Sequence, residues 1–324
     1  MPKHSRRDVM RAAAAAVPLA LLGRAAGAAE YPDKDISFII PDSAGGGFDN
    51  YVRALAPALE RALPRKVNVV PTNVPGAGGA RAAAELYRTK PDGAAIAIFN
   101  VPGIYVQRER GASGLDLEKF SWIGRISQDH YALAVGEASP IKSLADLQAL
   151  AKTRPVKFTS TGPAGTGYSA TLIAASLLGL KAQMITGYKG SNDYVVGAIR
   201  GDGDAVITAL PVLRRMAAGK TLRILATFEE KSTVPGASDA AALGQPELAQ
   251  ITLERLVAGP PGLPAGIKRV LADALAAAMK DPETAAWAAK TDTDLTPATS
   301  EEAAQILRDQ AKFIQKWERF LKGS

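Results

Sequence analysis

The chain has no cysteine and only two histidines in 324 residues. Without cysteine there is no disulfide, no thiolate metal ligand and no thiol nucleophile; this does not by itself assign a compartment. One histidine, His4, lies in the basic N-terminal stretch, which leaves His130 as the sole imidazole beyond it. Nucleophilic catalysis usually needs a positioned base, most often histidine. The G-x-S-x-G, H-E-x-x-H and G-x-x-x-x-G-K-[ST] patterns are all absent. Any metal site would rest on carboxylates, and Asp202-Gly203-Asp204 lacks the rest of a calcium loop. No metal or cofactor is implied. Beyond the N-terminus no apolar run is long enough to cross a membrane. No lysine/arginine cluster is interleaved with aromatics, so nucleic acid is not an expected partner.

The basic character is concentrated at the start. His4, Ser5, Arg6 and Arg7 lead into an apolar stretch over 12–22 and then into Ala26-Gly27-Ala28. A basic start, an apolar segment of roughly ten residues and an A-x-A end predict an export signal over residues 1–29. Paired arginines fit the twin-arginine route, with the general secretory route also open. Losing Lys3, Arg6, Arg7, Arg11, Arg24 and Asp8 takes the net charge from +7 to +3. The length that remains suits two domains.

Ser43-Ala44-Gly45-Gly46-Gly47-Phe48-Asp49-Asn50 follows a β-branched and aromatic run over 36–40 and precedes a helical pattern over 51–63. A strand, a glycine turn and a helix start make an anion seat: the first helical N–H groups lack partners, and the dipole favours negative charge. Asp49 is the capping candidate. A surface turn capped by Asp49 fits the same residues, because a lone glycine-rich loop is a weak motif.

Strands and helices then alternate. A strand over 66–70 leads through the glycines at 76, 78 and 79 into a helix over 80–88, and a strand over 94–99 ends at Asn100. Strands are expected over 122–126 and 131–135, a helix capped by Ser143, and a strand over 156–160. Thr161-Gly162-Pro163-Ala164-Gly165-Thr166-Gly167 repeats the first device before a helix over 168–178, with hydroxyls at Ser160, Thr161, Thr166 and Ser169. A helix capped by Ser191, strands over 205–208, 222–228 and 253–258, and three C-terminal helices complete the pattern. The last of these carries Ala303, Ile306, Leu307, Ala311 and Ile314 at amphipathic spacing, read as packing.

In this order, Tyr31-Pro32, Gly45-Gly46-Gly47-Phe48-Asp49, Pro75-Gly76-Ala77-Gly78-Gly79, Pro91-Asp92-Gly93 and Phe120-Ser121-Trp122-Ile123-Gly124 open the pattern. Gly165-Thr166-Gly167, Gly187-Tyr188-Lys189-Gly190-Ser191, Gly201-Asp202-Gly203-Asp204 and Ala258-Gly259-Pro260-Pro261-Gly262-Leu263-Pro264 continue it. The whole resembles the periplasmic substrate-binding receptors of tripartite tricarboxylate transporters, the Bug family. The resemblance implies an α/β fold, the type II periplasmic-binding-protein clamshell, with two lobes joined by two crossover strands. One lobe would comprise 30–127 and 229–324, the other 128–228, with crossings near 127–131 and 227–230. It implies a periplasmic, monomeric, non-enzymatic receptor that hands a small organic carboxylate to membrane permease subunits. Ligand contacts carried over by position are Ser43, Gly45, Gly46, Gly47, Phe48 and Asp49 in one lobe. In the other they are Ser160, Thr161, Gly165, Thr166 and Ser169, with Asn100 and Thr208 at strand ends. Phe48 stands where many relatives have a small hydroxyl residue, and Ser169, Ala170 and Thr171 stand where many have a histidine. A receptor feeding a signalling partner, and a secreted hydrolase using a serine or aspartate, are the alternatives.

Overall fold

A computed structural model of the protein describes residues 31–109, 115–163 and 165–322; the expected export signal lies outside them. Strand β4 (Ser121–Gly136) ties the molecule together. Its first part pairs antiparallel with β9 (Thr252–Gly259), from Ser121↔Gly259 to His130↔Thr252. From Tyr131 onward it pairs with β7 (Val206–Ala209) and, one residue later, β8 (Leu222–Thr227), both antiparallel. The sheet order is β2-β1-β3-β9-β4-β7, with β8 also on β4. Parallel strands β1 (Ile36–Ile40), β2 (Val69–Asn73) and β3 (Ala95–Val101) form its first end. A further parallel pair, β5 (Val156–Thr159) and β6 (Ala182–Ile185), meets the stretch before β7 through a Phe158↔Ala205 bridge.

The sequence pattern predicts two strands where the chain forms the single strand β4. The interruption was Gln128-Asp129-His130, polar residues that have no place in an isolated buried strand. The partner of the Asp129 side chain comes from β9, more than a hundred residues away. Arg255 Nη1 donates to Asp129 Oδ2 at 2.6 Å and to Ser127 Oγ at 2.9 Å. Arg125 Nη1 donates to Glu254 Oε2 at 3.1 Å. Burial pushes the Glu254 carboxyl up, and Arg125 pulls against it. The expected strand over 66–70 lies instead at Val69–Asn73 and runs through Pro71. Proline is tolerated there because β2 is the edge strand of the sheet.

Helix α1 (Gly47–Ala62) buries Val52, Leu55, Ala56 and Leu59 at the spacing of one helical face. They meet Ile36, Phe38 and Ile40 of β1 and Leu271 and Leu275 of a later helix over Ala265–Ala278 in one core. Each buried leucine contributes about 1.5–3 kcal/mol relative to exposure. In chain order the other helices are α2 (Ala80–Arg88), α3 (Gly103–Glu109), α4 (Leu144–Thr153), α5 (Thr166–Leu177), α6 (Ser191–Arg200), α7 (Leu210–Ala217), α8 (Ala265–Ala278), α9 (Pro282–Lys290) and α10 (Ser300–Lys322). A separate cluster of Val195, Leu210, Leu213 and Leu222 packs α6 and α7 on the second part of β4. Among the described residues no helix is long and apolar enough to cross a membrane.

Candidate functional site

The parallel strands β1, β3 and β5 all end at one cleft of about 260 Å³. Ligands of open α/β sheets bind at such carboxyl ends. Pro41, Asp42 and Phe48 line it from beyond β1, Asn100 from the end of β3, and Gly78 and Gly79 from the start of α2. Opposite stand Thr161, Gly165, Thr166 and Gly167 from beyond β5, with Ser191 and Tyr194 on α6. Tyr131 and Leu253 also line it, at the point where β4 changes partners. Four helices thus direct N-termini toward one small volume, each carrying roughly half a positive charge.

The two glycine loops share one construction. The N-cap glycines are Gly46 and Gly165; neither helix has a side-chain cap. Gly46 N–H donates to Ser43 O at 3.0 Å, and Gly165 N–H to Gly162 O at 2.8 Å. In each loop the side chain four residues earlier lies over the glycine. A Cβ on Gly46 would meet Asp42 Oδ2 at 2.1 Å, and one on Gly165 would meet Thr161 Oγ1 at 2.2 Å. Only glycine admits that approach.

Asp49 does not cap α1 as the sequence pattern predicts; it lies within the first turn, 1% exposed. Its Oδ2 accepts from Gly45 N–H and Arg53 Nε, each at 2.8 Å, and its Oδ1 from Asn73 Nδ2 at 2.9 Å. The Arg53 guanidinium holds this carboxyl down at about 2, against the burial that works to raise it. Asp49 therefore braces the loop from beneath, with both oxygens engaged by protein donors.

The other expected contacts divide similarly. Phe48, Asn100, Thr161, Gly165 and Thr166 line the cleft. Ser43, Gly45 and Gly47 lie exposed on the first loop, and Gly46 is half-buried beneath Asp42. Ser160 and Ser169 are buried without being among the lining residues, and neither hydroxyl has a protein partner. Thr208 is buried with its hydroxyl 2.6 Å from that of Tyr194. Burial pushes the Tyr194 hydroxyl up to about 12, with Thr208 opposing, so it stays neutral at ordinary pH. Thr208 thus positions a lining residue. Asn100 Nδ2 donates to Thr166 Oγ1 at 2.6 Å across the cleft.

Sequence reasoning missed Asp42, Tyr131, Ser191, Tyr194 and Leu253. A signal exists for two of them: Asp42 directly precedes the glycine loop, and the pattern predicts Ser191 as a helix cap, although the cap is Gly190 and Ser191 is the first residue of α6. Arg255 is absent from the lining; its guanidinium lies 4.3 Å from the centroid of the Tyr51 ring and 5.3 Å from that of Phe48. Among the described residues no group of three His, Asp or Glu side chains is placed to hold a metal ion.

Comparison with known proteins points one way. The TctC profile, tripartite tricarboxylate transporter family receptor, matches residues 52–323. A Cupriavidus necator protein, the UPF0065 protein in the gbd 5' region, is 29% identical over 310 residues, covering 94% of this chain and 93% of its own. An R. palustris structure with adipate aligns at a TM-score of 0.75 and 21% identity, covering 90% of this chain and 98% of that one. MatC from Rhodopseudomonas palustris with bound malate aligns at 0.73 and 17%, covering 90% and 100%. These two likenesses establish the fold, a mixed α/β architecture shared along nearly the whole length of both structures. The chain belongs to the tripartite tricarboxylate transporter receptor family.

Proposed function

We propose that this protein is a periplasmic receptor that captures a small organic carboxylate between two lobes and delivers it to the membrane permease subunits of a tripartite transporter. The observation that carries this reading is the convergence of α1, α2, α5 and α6 on one cleft with hydroxyls at Thr161, Thr166 and Ser191. Free N–H groups and helix dipoles favour an anion, and exclusion of water on closure strengthens each contact. The volume falls below the usual range for drug-sized ligands, which suits a small acid. The relatives solved with malate and adipate hold ligands of that class.

The lobes would be 30–127 with 229–324, and 128–228. The partner change of β4 at Tyr131 supports the first boundary. The second is supported by the Phe228 N–H bond to Tyr131 O, which follows β8 directly. Closure and opening would pivot there, a hinge motion about two strand segments. The protein would act as a monomer that binds its ligand without catalysing a reaction on it, as the receptor family implies.

A thermal-shift screen of residues 30–324 tests this, using mono-, di- and tricarboxylates, aromatic acids and amino acids, with amides and sugars as controls. A ligand at about 100 times its Kd adds about 2.7 kcal/mol and raises Tm by several degrees. The expected result is a shift from one acid class. Shifts from uncharged controls alone overturn the reading.

A further inference from the structure

The cleft is chemically one-sided. Among the described residues that line it, Asp42 is the only charged one, and none is a lysine or an arginine. The guanidinium groups of Arg53, Arg255 and Arg81 behind that side are already engaged, Arg81 with Pro75 O at 3.2 Å. Arg53 binds Asp49 and Asn73, and Arg255 binds Asp129 and Ser127. The Asp42 carboxylate takes one hydrogen bond, from Ser43 N–H to Oδ1 at 2.9 Å. At the end of the neighbouring parallel strand, Asn100 directs one of its two amide N–H groups at Thr166, and its buried Oδ1 has no protein partner. The β1–β3 side therefore presents two acceptors with capacity left. The β5–α6 side presents donors: the first turns of α5 and α6 and the hydroxyls of Thr161, Thr166 and Ser191.

A dicarboxylate spanning such a cleft would set its second carboxylate against Asp42. Like charges a few ångströms apart in a dry site repel strongly. The N-termini of α1 and α2 also open on that side, each with about half a charge; the α1 end already has the Asp49 carboxylate in its first turn, which leaves the α2 end against the whole charge of Asp42. An unpaired buried acceptor such as Asn100 Oδ1 is costly until a donor reaches it. A ligand that carries N–H donors at this end satisfies both groups.

We propose that the ligand is an amino carboxylate: its carboxylate rests on the first turns of α5 and α6, and its ammonium group faces Asp42 and Asn100 Oδ1. Asp42 is then the specificity-determining residue, in the place where the second loop carries the neutral Thr161. The inference rests on the receptor reading above and narrows its ligand class.

The test compares three forms of one carbon skeleton by calorimetric titration of residues 30–324. For four carbons these are butanoate, succinate and 4-aminobutanoate, with 2-aminobutanoate as the second amino form. The skeleton is the one that gives the largest shift in the screen. An amino form is expected to bind at least about tenfold more tightly than the plain and dicarboxylic forms. Asp42→Asn should remove most of that preference and bring the dicarboxylate up by about tenfold, while the ligand-free Tm stays near wild type. Asp42→Ser, which recreates the hydroxyl of the second loop, serves as a second variant. A dicarboxylate or plain acid that binds wild type as well as either amino form overturns the inference and leaves the receptor reading standing. So does an unchanged order in both Asp42 variants. A screen in which no acid binds removes both.

Discussion

The two glycine-rich loops begin as the same object and end as different ones. Each follows a parallel strand, turns through an i→i+3 backbone bond and starts a helix at an uncapped glycine. The first is then occupied by its own acids: Asp42 over Gly46, and Asp49 underneath on Gly45 N–H. The second has Thr161 over Gly165, and its described residues include no acid. A glycine loop at a helix start offers positive potential in both cases. Whether that potential is left for a ligand depends on the charge of one neighbouring side chain. The same backbone thus yields a braced, half-neutralised wall on one side and an open seat on the other.

The bracing extends below the first loop, and its removal should have the largest effect. Arg255 supports Phe48 and Tyr51 from the β9 side while it pairs with Asp129; both charged side chains are under a tenth exposed. Arg255→Leu leaves Asp129 buried without its cation, a change that costs roughly 3–5 kcal/mol. Chemical denaturation should show that loss, and Arg255→Leu combined with Asp129→Leu should recover much of it. If the single variant unfolds like wild type, the first wall is not held from β9 and the contrast between the loops is local only.

The next effect sharpens the contrast through matched glycines. Gly165→Ala forces the Thr161 hydroxyl aside in the open seat, whereas Gly46→Ala displaces the Asp42 carboxylate from the filled one. Neither glycine has a positive φ, so backbone strain does not enter. Gly165→Ala is expected to weaken ligand affinity by about tenfold, or about 1.4 kcal/mol. Gly46→Ala should change affinity less for a plain monocarboxylate, since the seat it disturbs already holds an internal anion. Titration of both variants with the best acid checks this; equal losses would mean that both loops grip the same carboxylate.

Much of this was readable from the sequence because it is local. The run 36–40, the glycines at 45–47 and the apolar spacing of α1 carry their own geometry. So do the β5 loop and the Ser143 cap, which appears as a capping box with Asp146. Asn100 was placed at a strand end by the turn that follows it. The features that escaped are those settled by distant partners. The continuity of β4 depends on Arg255 satisfying Asp129, and the shift of β2 to include Pro71 depends on its place at the sheet edge. The bracing role of Asp49 is hidden in part for the same reason: Asn73 reaches its Oδ1 from β2, while Arg53 meets it from one turn on in α1. The sequence alone does not single out Asp42, because aspartate before a glycine turn is ordinary turn chemistry. Only its position over Gly46 and inside the cleft distinguishes it.

The smallest effect concerns acid, and it separates the two loops by pH. Arg53, Gly45 N–H and Asn73 hold the Asp49 carboxyl at about 2 in the folded protein, against an ordinary value of 3.8. Between those values the unfolded chain binds more protons at this site than the folded one. Stability from Asp49 is therefore complete above about pH 4 and is lost as pH falls toward 2. The second loop has no titrating group among its described residues, so its seat should be indifferent to the same change. In Asp49→Asn the fall in Tm between pH 4 and pH 2 should be shallower than in wild type, because one depressed carboxyl has been removed. The neutral amide still occupies the space but accepts more weakly from Arg53, so the Tm at pH 7 should be modestly lower. Parallel slopes for the two proteins across that window would show that the first loop is held by shape and not by the charge of Asp49.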